Sequence, residues 1–462
     1  MIKRIIKLFS PTRSEQNTEA NHQKYSSHAP SVHIPEEWKP FLDEIERSNG
    51  HFFVTGYAGA GKSTFIREFC RITKKNAVIT APTGFGAFNA GGVTTHSFAR
   101  LPSSVITGDN IREIPEKQLI RAVDAIIIDD VSMARCDLLD GLDNFMRKNG
   151  RDATAPFGGV QVILVGDPYQ LCPEVTDDEK ETLRKTGCPG PYYFWNAKVY
   201  PEIRPQSIKL TGVYKGAEDS GIMKALNCIR NNDMDNAKLD AFLQECVAEP
   251  DFDPFSRPYH TMLTPRNAEA TYYNNKMFHR LSGAQKEYRA KRSGSALNIN
   301  NPEDNFPCEE NLPLRPGTRV IFCKTIDSDI ANGTLGTVVD LEDASVTVKT
   351  DDGRSVKVTP SLWELVGYSC NTETGRVETK VTGWIEQIPL RHAWALSLQK
   401  SQGVLFDKIH IDLEDESFLQ GQAYIALSRC RALAGISLKN YSAPKDIMID
   451  RHIVDFVVRN GL

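Results

Sequence analysis

Residues 56–63 decide the fold of this chain, and they read Gly56-Tyr57-Ala58-Gly59-Ala60-Gly61-Lys62-Ser63. This stretch matches the pattern G-x-x-x-x-G-K-[ST], follows an apolar strand predicted at Phe52–Val54 and opens a helix predicted at Thr64–Cys70. The glycines allow backbone N–H groups to surround phosphates, and the helix N-terminus adds partial positive charge. We therefore expect Lys62 to reach the β- and γ-phosphates of a nucleotide and Ser63 to bind Mg²⁺.

Three further apolar runs surround this loop in the sequence, at Ala77–Ile79, Ala125–Ile128 and Val160–Val165. They are apolar on both faces, which is typical of parallel strands covered by helices on both sides of a sheet. Their alternation with helical patterns predicts an α/β doubly wound domain. Residues 99–122 interrupt the alternation, and we interpret them as a small insertion near the sheet edge.

Polar side chains follow two of these strands. Asp129 and Asp130 come directly after Ala125–Ile128, at the strand end that lies beside a phosphate loop. We expect Asp129 to hold Mg²⁺ and Asp130 to orient and deprotonate the attacking water. Gln170 ends the segment Gly166–Gln170 after the next strand, where its amide is expected to hydrogen-bond the γ-phosphate or that water.

The second half of the chain repeats the α/β pattern and interrupts it. Apolar runs at Ile208–Leu210, Ile409–Leu413 and Ile436–Leu438 predict a second α/β unit. Between them, residues 314–358 contain short strands spaced by about ten residues, with a hairpin turn at Asp352-Gly353. That spacing predicts a small antiparallel β-barrel.

Composition limits the class of protein. The net charge of −4, from 55 Lys+Arg and 59 Asp+Glu, means that any nucleic-acid site is a local groove. The ten cysteines include no CxxC pair, which argues against zinc or dithiol chemistry and favours a reducing compartment. No apolar run approaches the ~20 residues of a membrane span, so no membrane partner is expected. Residues 1–34 are predicted to be a disordered, basic and polar tail, whose start suits either a frayed helix or a transit peptide.

Taken in order, these segments resemble the Pif family of 5′-to-3′ DNA helicases, within helicase superfamily 1B, over about residues 50–440. Residues 390–403 and 421–429 are similar to the family's fifth and sixth motifs, and both stretches are long and specific. Residues 80–84 and 92–98 resemble its first two DNA-contacting motifs. Residues 156–161 resemble a stretch that separates this family from its RecD-like and Dda-like relatives.

The resemblance implies two RecA-like P-loop domains with ATP between them. The first would span residues 35–196, with the small insertion at about 99–122. The second would span residues 197–305 and 384–462, with the small antiparallel β-barrel inserted at 306–383. Closing of the cleft on ATP and its opening after hydrolysis would become relative motion of the two domains along DNA.

The resemblance also assigns residues to sites. Catalytic roles would fall to Lys62, Asp129, Asp130, Gln170, Arg429 and Lys215, with Ser63 and Asp129 as the magnesium ligands. ATP would contact Gly56, Ala58, Gly59, Ala60, Gly61, Lys62, Ser63, Thr64, Gln170, Gly403 and Arg429. DNA would contact Pro82, Thr83, Gly84, Thr94, His96, Ser97, Phe98, Gln399, Lys400 and Ser401. For Phe98 the alternative is a core aromatic, and the aromatic run Tyr192–Trp195 is interpreted as core.

Three positions depart from the family pattern. Asp130 stands where the family has Glu, Lys215 where it has the arginine of Val-Phe-Arg-Gln, and Gln399 where it tends to have His. Asp130 is one methylene shorter than Glu, and Lys215 lacks the guanidinium fork of an arginine finger. Arg429 is therefore expected to be the main finger, and the rate of hydrolysis depends on whether Asp130 reaches the water.

The sequence thus predicts an ATP- and Mg²⁺-dependent 5′-to-3′ DNA helicase that translocates on single-stranded DNA and unwinds duplex or G-quadruplex DNA. The alternatives are a DNA-binding protein of the same fold with weak ATPase activity, and a RecD-like recombination or conjugation motor. The expected partners are single-stranded DNA and junctions of single- and double-stranded DNA. We expect a monomer, with a dimer on DNA as the alternative. The compartment would be cytoplasm or nucleoid in a bacterial or viral setting, and nucleus or mitochondrion in a eukaryotic one.

Overall fold

The computed structural model describes residues 34–212, 220–230, 237–257, 259–299, 305–327, 329–412, 422–441 and 449–462. Within them the α-helices are α1 Lys39–Arg47, α2 Lys62–Ile72, α3 Gly84–Ala90, α4 Thr95–Ala99, α5 Gln118–Ala122, α6 Cys136–Asn149, α7 Asp177–Lys185, α8 Tyr200–Ile203, α9 Ser220–Arg230, α10 Ala237–Gln244, α11 Asn267–Phe278, α12 Gln422–Leu427 and α13 Arg451–Arg459. The predicted tail lies outside the described residues up to position 33, and residues 34–44 belong to a compact unit separate from residues 45–462.

The strands of the described residues are β1 Phe52–Gly56, β2 Ala77–Ala81, β3 Val93–Thr94, β4 Ala125–Ile128, β5 Gln161–Val165, β6 Gln206–Leu210, β7 Thr261–Thr264, β8 Lys286–Arg289, β9 Lys291–Gly294, β10 Asn311–Leu314, β11 Arg319–Phe322, β12 Leu335–Leu341, β13 Val346–Thr350, β14 Ser355–Val358, β15 Ser361–Cys370, β16 Val377–Gln387, β17 Leu390–His392, β18 Ala395–Ser397, β19 Ile409–Asp412 and β20 Ile436–Lys439. Within the described residues, every helix is too short or too polar to span a lipid bilayer.

The first sheet is six-stranded and entirely parallel, in the order β3-β2-β4-β5-β1-β6. Every residue of β1, β4 and β5 is buried, which explains why their sequences are apolar on both faces. The carboxyl ends of parallel strands meet at one edge, so the phosphate loop after β1 lies beside the acids after β4 and the turn after β5. The predicted α/β class is confirmed.

One strand belongs to a different sheet from the one predicted. Residues 206–210 were expected to open the second α/β unit, but β6 pairs in parallel with β1, with Phe52 opposite Gln206 and Gly56 opposite Leu210. The prediction was wrong because an apolar run does not reveal which sheet it joins. Exposed Gln206 and Lys209 are typical of an edge strand, and the first sheet extends past residue 196.

The second parallel sheet has the order β18-β7-β19-β20. The last helix, α13, was predicted to belong with it, but its Phe456 packs against the first unit's aromatic side chains. The Phe456 ring stacks on Trp195 at 4.2 Å and lies 5.9 Å from Phe53 and 5.9 Å from Phe194. Phe194 is fully buried, in agreement with the core interpretation of the Tyr192–Trp195 run.

The antiparallel region is larger than the predicted barrel at 306–383. A five-stranded sheet, β14-β13-β12-β11-β17, buries Val320, Phe322 and Val348 and turns at Asp352-Gly353 as predicted. Two smaller sheets, β10-β8 and β15-β16-β9, extend the antiparallel strands from residue 286 to residue 392. The β15–β16 hairpin also contacts the first sheet, where the backbone N–H of Ile79 donates to the Tyr368 hydroxyl at 2.9 Å.

The predicted insertion at 99–122 packs onto α6. Its apolar side chains, including Leu101, Ile106 and Ile120, join the hydrophobic core that contains Leu138 and Leu142 of that helix. The backbone N–H of Ile106 donates to a carboxylate oxygen of Asp137 at 2.8 Å, which fixes the insertion to the start of α6.

Candidate active site

The phosphate loop has a backbone that requires glycine at several positions. Gly59 and Gly61 lie in the left-handed region at φ +81° and +85°, where L side chains are strained. A Cβ on Gly56 would lie 2.6 Å from the carbonyl oxygen of Leu210 on β6, so that position admits no side chain. The loop is therefore shaped by β1 and its edge partner before any ligand binds.

Lys62 begins α2 and folds back into the loop. Its Nζ donates to the carbonyl oxygens of Gly56 at 2.9 Å and Tyr57 at 3.1 Å, inside the curve where phosphate oxygens bind in such loops. Burial lowers the pKa of Lys62, and the carboxylates of Asp167, Asp130 and Asp129 oppose that shift. The ammonium is thus surrounded by acids that favour its charged form.

Asp129 and Asp130 directly follow β4, as predicted. Burial, together with the charge of Asp130, raises the pKa of Asp129 to about 7. Burial also raises the pKa of Asp130, while Lys62 and Arg429 act in the opposite direction. Asp130 has a left-handed backbone with φ +50°, and its Oδ2 lies 3.3 Å from the position that a Cβ on Gly86 of α3 would take. The two carboxyl groups therefore share one buried, electrically coupled site.

The donor set fits Mg²⁺. In the described parts of the chain no group of three or more His, Cys, Asp or Glu side chains is arranged to hold a metal ion. The Ser63 hydroxyl and the Asp129 carboxylate line the same cavity, and hard oxygen ligands supplemented by substrate phosphates are the usual environment of Mg²⁺. Ser63 and Asp129 are therefore the residues that would hold it.

A cavity of about 430 Å³ brings residues of both α/β units together. Its predicted members are Ala58, Gly59, Gly61, Lys62, Ser63, Thr64, Asp129, Asp130, Gln170, Lys400, Gly403 and Arg429. Gly56 and Ala60 support the loop from behind, outside this lining. Lys215, the weaker finger candidate, lies outside the described residues.

Arg429 enters this cavity from the turn after α12 and is only 4% exposed. Its Nε donates to the carbonyl of Ile425 at 3.3 Å and its Nη2 to the Ser428 hydroxyl at 3.2 Å. Burial lowers its pKa, and the Tyr424, Asp167 and Asp130 groups oppose that shift. The guanidinium is thus held by its own helix end while it faces the acids of the first unit.

One charged residue beside the cavity was missed from the sequence. Arg230, the last residue of α9, donates from Nη1 to both carboxylate oxygens of Asp167, at 3.1 and 3.3 Å. Asp167 also accepts a hydrogen bond of 3.4 Å from Gln170 Nε2. The sequence offered only an arginine at the end of an amphipathic helix, because its partners lie more than sixty residues away along the chain.

A second cavity, of about 550 Å³, collects several of the predicted DNA-contacting residues. Pro82, Thr83, His96 and Gln399 line it together with the cations Arg135 and Arg266. Burial, together with the nearby charge of Arg135, lowers the pKa of His96 and favours the neutral form of its ring.

Threonine hydroxyls cap two of the short helices near this cavity. Thr83 Oγ1 accepts from the Gly86 N–H at 3.0 Å, and Thr94 Oγ1 accepts from the Ser97 N–H at 3.1 Å. Each hydroxyl keeps its own proton to donate to a phosphate oxygen, because capping uses only its acceptor capacity.

Other predicted DNA-contacting residues are placed differently. Phe98 is 9% exposed and packs in the hydrophobic core of the first unit, which favours the core alternative. Ser401 is fully buried, and its hydroxyl donates to the Leu398 carbonyl at 2.8 Å, so it stabilises a turn. Lys400 lines the nucleotide cavity. The Asn305 side chain covers Gly84, since a Cβ built on Gly84 would lie 2.0 Å from Asn305 Oδ1.

Comparisons with known proteins agree with this geometry. The model of the PIF1-like helicase family matches residues 35–201. The ATP-dependent DNA helicase Pif1 of Bdellovibrio bacteriovorus is 30% identical over 420 residues, which cover 89% of each chain. The human ATP-dependent DNA helicase PIF1 is 28% identical over 436 residues, which cover 92% of this chain but 63% of the human one.

Solved structures give the same result. The crystal structure of Bacteroides sp Pif1 in complex with ADP-AlF4 superposes with a TM-score of 0.83 and 32% identity, covering 93% of this chain and 98% of that one. Bacteroides Pif1 bound to ssDNA superposes with a TM-score of 0.63 and 31% identity, covering 93% of this chain and 97% of that one. The match extends over both α/β units and the antiparallel region between them. The chain therefore belongs to the PIF1-like helicase family.

Proposed function

We propose that this chain is an ATP- and Mg²⁺-dependent DNA helicase that translocates 5′ to 3′ on single-stranded DNA and unwinds duplex DNA. One observation carries the proposal: the nucleotide cavity is lined by Lys62, Asp129 and Asp130 from the first unit and by Arg429 from the second. A nucleotide held at such a seam couples its hydrolysis to relative motion of the two units. The family's relatives, which are named ATP-dependent DNA helicases, support the same activity.

Each side chain has a task that its position suits. Lys62 and the loop N–H groups would bind the β- and γ-phosphates, and Asp130 would orient the attacking water and accept its proton. Ser63 and Asp129 would hold Mg²⁺, which neutralises charge on the phosphate oxygens when it is bound. Arg429 would stabilise the charge that develops on the transferring γ-phosphoryl group.

Gln170 would report the state of the γ-phosphate to its neighbours. Its amide lines the nucleotide cavity and also hydrogen-bonds Asp167. Loss of the γ-phosphate would therefore alter a contact that continues through Asp167 into the second unit.

DNA would occupy the second cavity. Gln399 lines that cavity while Lys400, its neighbour in the chain, lines the nucleotide cavity, so one short segment contacts both sites. Contacts from protein hydroxyl and amide groups to the phosphates of the DNA backbone carry no sequence information. Such contacts suit a motor that moves along a strand of any sequence. Single-stranded DNA and its junctions with duplex are the proposed partners.

The direct test is unwinding of two duplexes that are identical except for a 5′ or a 3′ single-stranded overhang, with and without ATP. The proposal predicts ATP-dependent unwinding of the 5′-overhang substrate alone, with no unwinding by the Lys62→Ala variant. Equal unwinding of both substrates would refute the direction. Binding of DNA with no ATP turnover would refute the motor and favour a binding protein of the same fold.

A further inference from the structure

Arg230 is buried where three segments of the chain meet. Its side chain is 11% exposed, and its ion-pair partner Asp167 has a fully buried side chain. The same Nη1 that contacts Asp167 also donates to the Tyr424 hydroxyl at 2.8 Å. Tyr424 lies on α12, the helix that precedes Arg429.

Aromatic rings cover the guanidinium. Its carbon lies 3.9 Å from the centre of the Tyr169 ring and 4.5 Å from that of Tyr57, both within the range of cation–π attraction. Tyr57 belongs to the phosphate loop, and Tyr169 precedes Gln170. Arg230 therefore contacts the phosphate loop, the turn after β5 and α12.

Arg230 is not part of the nucleotide cavity lining, so any effect on catalysis must pass through its partners. The partner with a direct consequence is Asp167, whose buried carboxylate acts electrostatically on Lys62, as those of Asp129 and Asp130 do. Without Arg230, this buried carboxylate would lose its ion-pair partner, and Lys62 and Arg429 would be the remaining cations that act on it.

We propose that Arg230 is a positioning residue that pairs with Asp167 so that Lys62 stays available to the nucleotide phosphates, and that links the phosphate loop to α12. This inference rests on the proposed function, because it concerns the same nucleotide cavity. It has two separable parts: a charge part, carried by Asp167, and a linking part, carried by Tyr57 and Tyr424.

The test compares Arg230→Gln with the double variant Asp167→Asn/Arg230→Gln. Affinity for a non-hydrolysable ATP analogue is measured by fluorescence, and DNA-stimulated ATP turnover is measured separately. We expect Arg230→Gln to weaken analogue binding about tenfold, since Lys62 is drawn to the unpaired carboxylate. The double variant is expected to bind the analogue within about threefold of wild type, because the carboxylate is gone, while its turnover stays at least tenfold low because the link to α12 is still missing.

The outcomes separate the parts. Normal binding and turnover in Arg230→Gln overturn the whole inference, and failure of the double variant to recover binding overturns the charge part. Recovery of both binding and turnover overturns the linking part. Circular dichroism verifies that each variant folds. If Arg230→Gln alone does not fold, the analogue binding and ATP turnover of the double variant test the charge part and the linking part. If the wild-type protein binds the analogue but does not hydrolyse ATP, the proposed function is refuted and the binding comparison between the variants still stands. If the wild-type protein does not bind the analogue, both the proposed function and this inference are refuted.

Two cysteine thiols lie close together at the start of α6. The Sγ atoms of Cys136 and Cys188 lie 2.9 Å apart, and both are free thiols. The Cys136 backbone is held beside the segment that follows Cys188, independently of the sulfur atoms: the Cys136 N–H donates to the Tyr192 carbonyl at 3.0 Å, and Arg135 forms an antiparallel bridge with Tyr193. A bond of about 2.05 Å requires the two sulfur atoms to approach by less than about 1 Å.

We infer that Cys136 and Cys188 form a reversible disulfide when the protein meets a hydroperoxide. The half-buried Cys188 thiolate attacks one peroxide oxygen, which gives a sulfenic acid and releases a water or alcohol. The Cys136 sulfur then attacks the sulfenic sulfur, so that the S–S bond forms and a second water leaves. Two thiols are oxidised, the peroxide is reduced, and both thiol protons leave in the released products.

The test exposes the whole chain to hydrogen peroxide and analyses it by alkylation and peptide mass mapping. We expect a Cys136–Cys188 cross-linked peptide, a loss of two hydrogen atoms from the intact mass, and reversal by dithiothreitol. Cys172→Ser, the matched control, retains the cross-link, and Cys188→Ser loses it. The oxidised wild type is expected to melt about 3–8 °C higher than the reduced one. Irreversible oxidation of Cys188 to the sulfinic acid, or a cross-link to another cysteine, overturns the inference.

Discussion

Replacing Arg429 with alanine tests the assignment of the finger most sharply. Arg429 is 4% exposed, and its guanidinium is already oriented by the Ile425 carbonyl and the Ser428 hydroxyl, so little ordering remains for the transition state to impose. Arginine fingers contribute factors of about 10³–10⁵ to the rate of phosphoryl transfer. Because Asp130 and Lys62 remain in place, we expect the lower end: turnover about 10³-fold slower, or about 4 kcal/mol of lost transition-state stabilisation.

The assay is ATP turnover with saturating single-stranded DNA, together with DNA affinity measured by fluorescence anisotropy. Arg429 lines the nucleotide cavity rather than the cavity that contains Thr83 and Gln399, so DNA affinity is expected to change less than about threefold. Arg431→Ala is the matched control, because Arg431 is half-exposed and pairs with Asp407 at the surface. Loss of turnover and DNA affinity in equal measure would rule out the finger assignment and place Arg429 at the DNA.

Three further predictions concern the first unit. Asp130→Asn keeps the shape of the side chain but cannot accept a proton, so turnover should fall about 10²–10³-fold with nucleotide affinity preserved, and unchanged turnover would remove Asp130 from the mechanism. Phe98→Ala should lower stability by about 3–5 kcal/mol in thermal or urea unfolding and leave the coupling of ATPase to DNA intact, whereas a stable but uncoupled variant would restore Phe98 to the DNA site. The affinity for Mg²⁺-nucleotide should fall about tenfold for each pH unit below 7, because protonated Asp129 cannot bind the ion. Titration calorimetry measures this affinity, and its dependence on pH should be absent in Asp129→Asn.

The sequence was informative wherever local pattern determines structure. The loop at residues 56–63 and the strands β1, β4 and β5 were predicted because a glycine pattern and doubly apolar runs have few other solutions. The acids after β4 followed from the same argument, since parallel strands end at one edge. The hairpin at Asp352-Gly353 was predicted from its turn residues alone.

Long-range pairing was not predictable in the same way. The β6 strand joins β1 across about 150 residues, and α13 packs its Phe456 on the Tyr192–Trp195 run from the far end of the chain. Arg230 was missed for the same reason: its significance depends on Tyr57, Asp167 and Tyr424 meeting in space. Side-chain direction within a motif was equally hidden, because only the folded turn buries the Ser401 hydroxyl.

The proposed motor depends on one nucleotide being held between the two α/β units. The most direct measurement is an experimental structure of this chain with ADP, Mg²⁺ and aluminium fluoride, which imitates the transferring phosphoryl group. We expect Lys62 of the first unit and Arg429 of the second both to contact the fluoride group. A nucleotide that touches only the first unit, with the Arg429 guanidinium turned away from it, would show that hydrolysis is not shared between the two units.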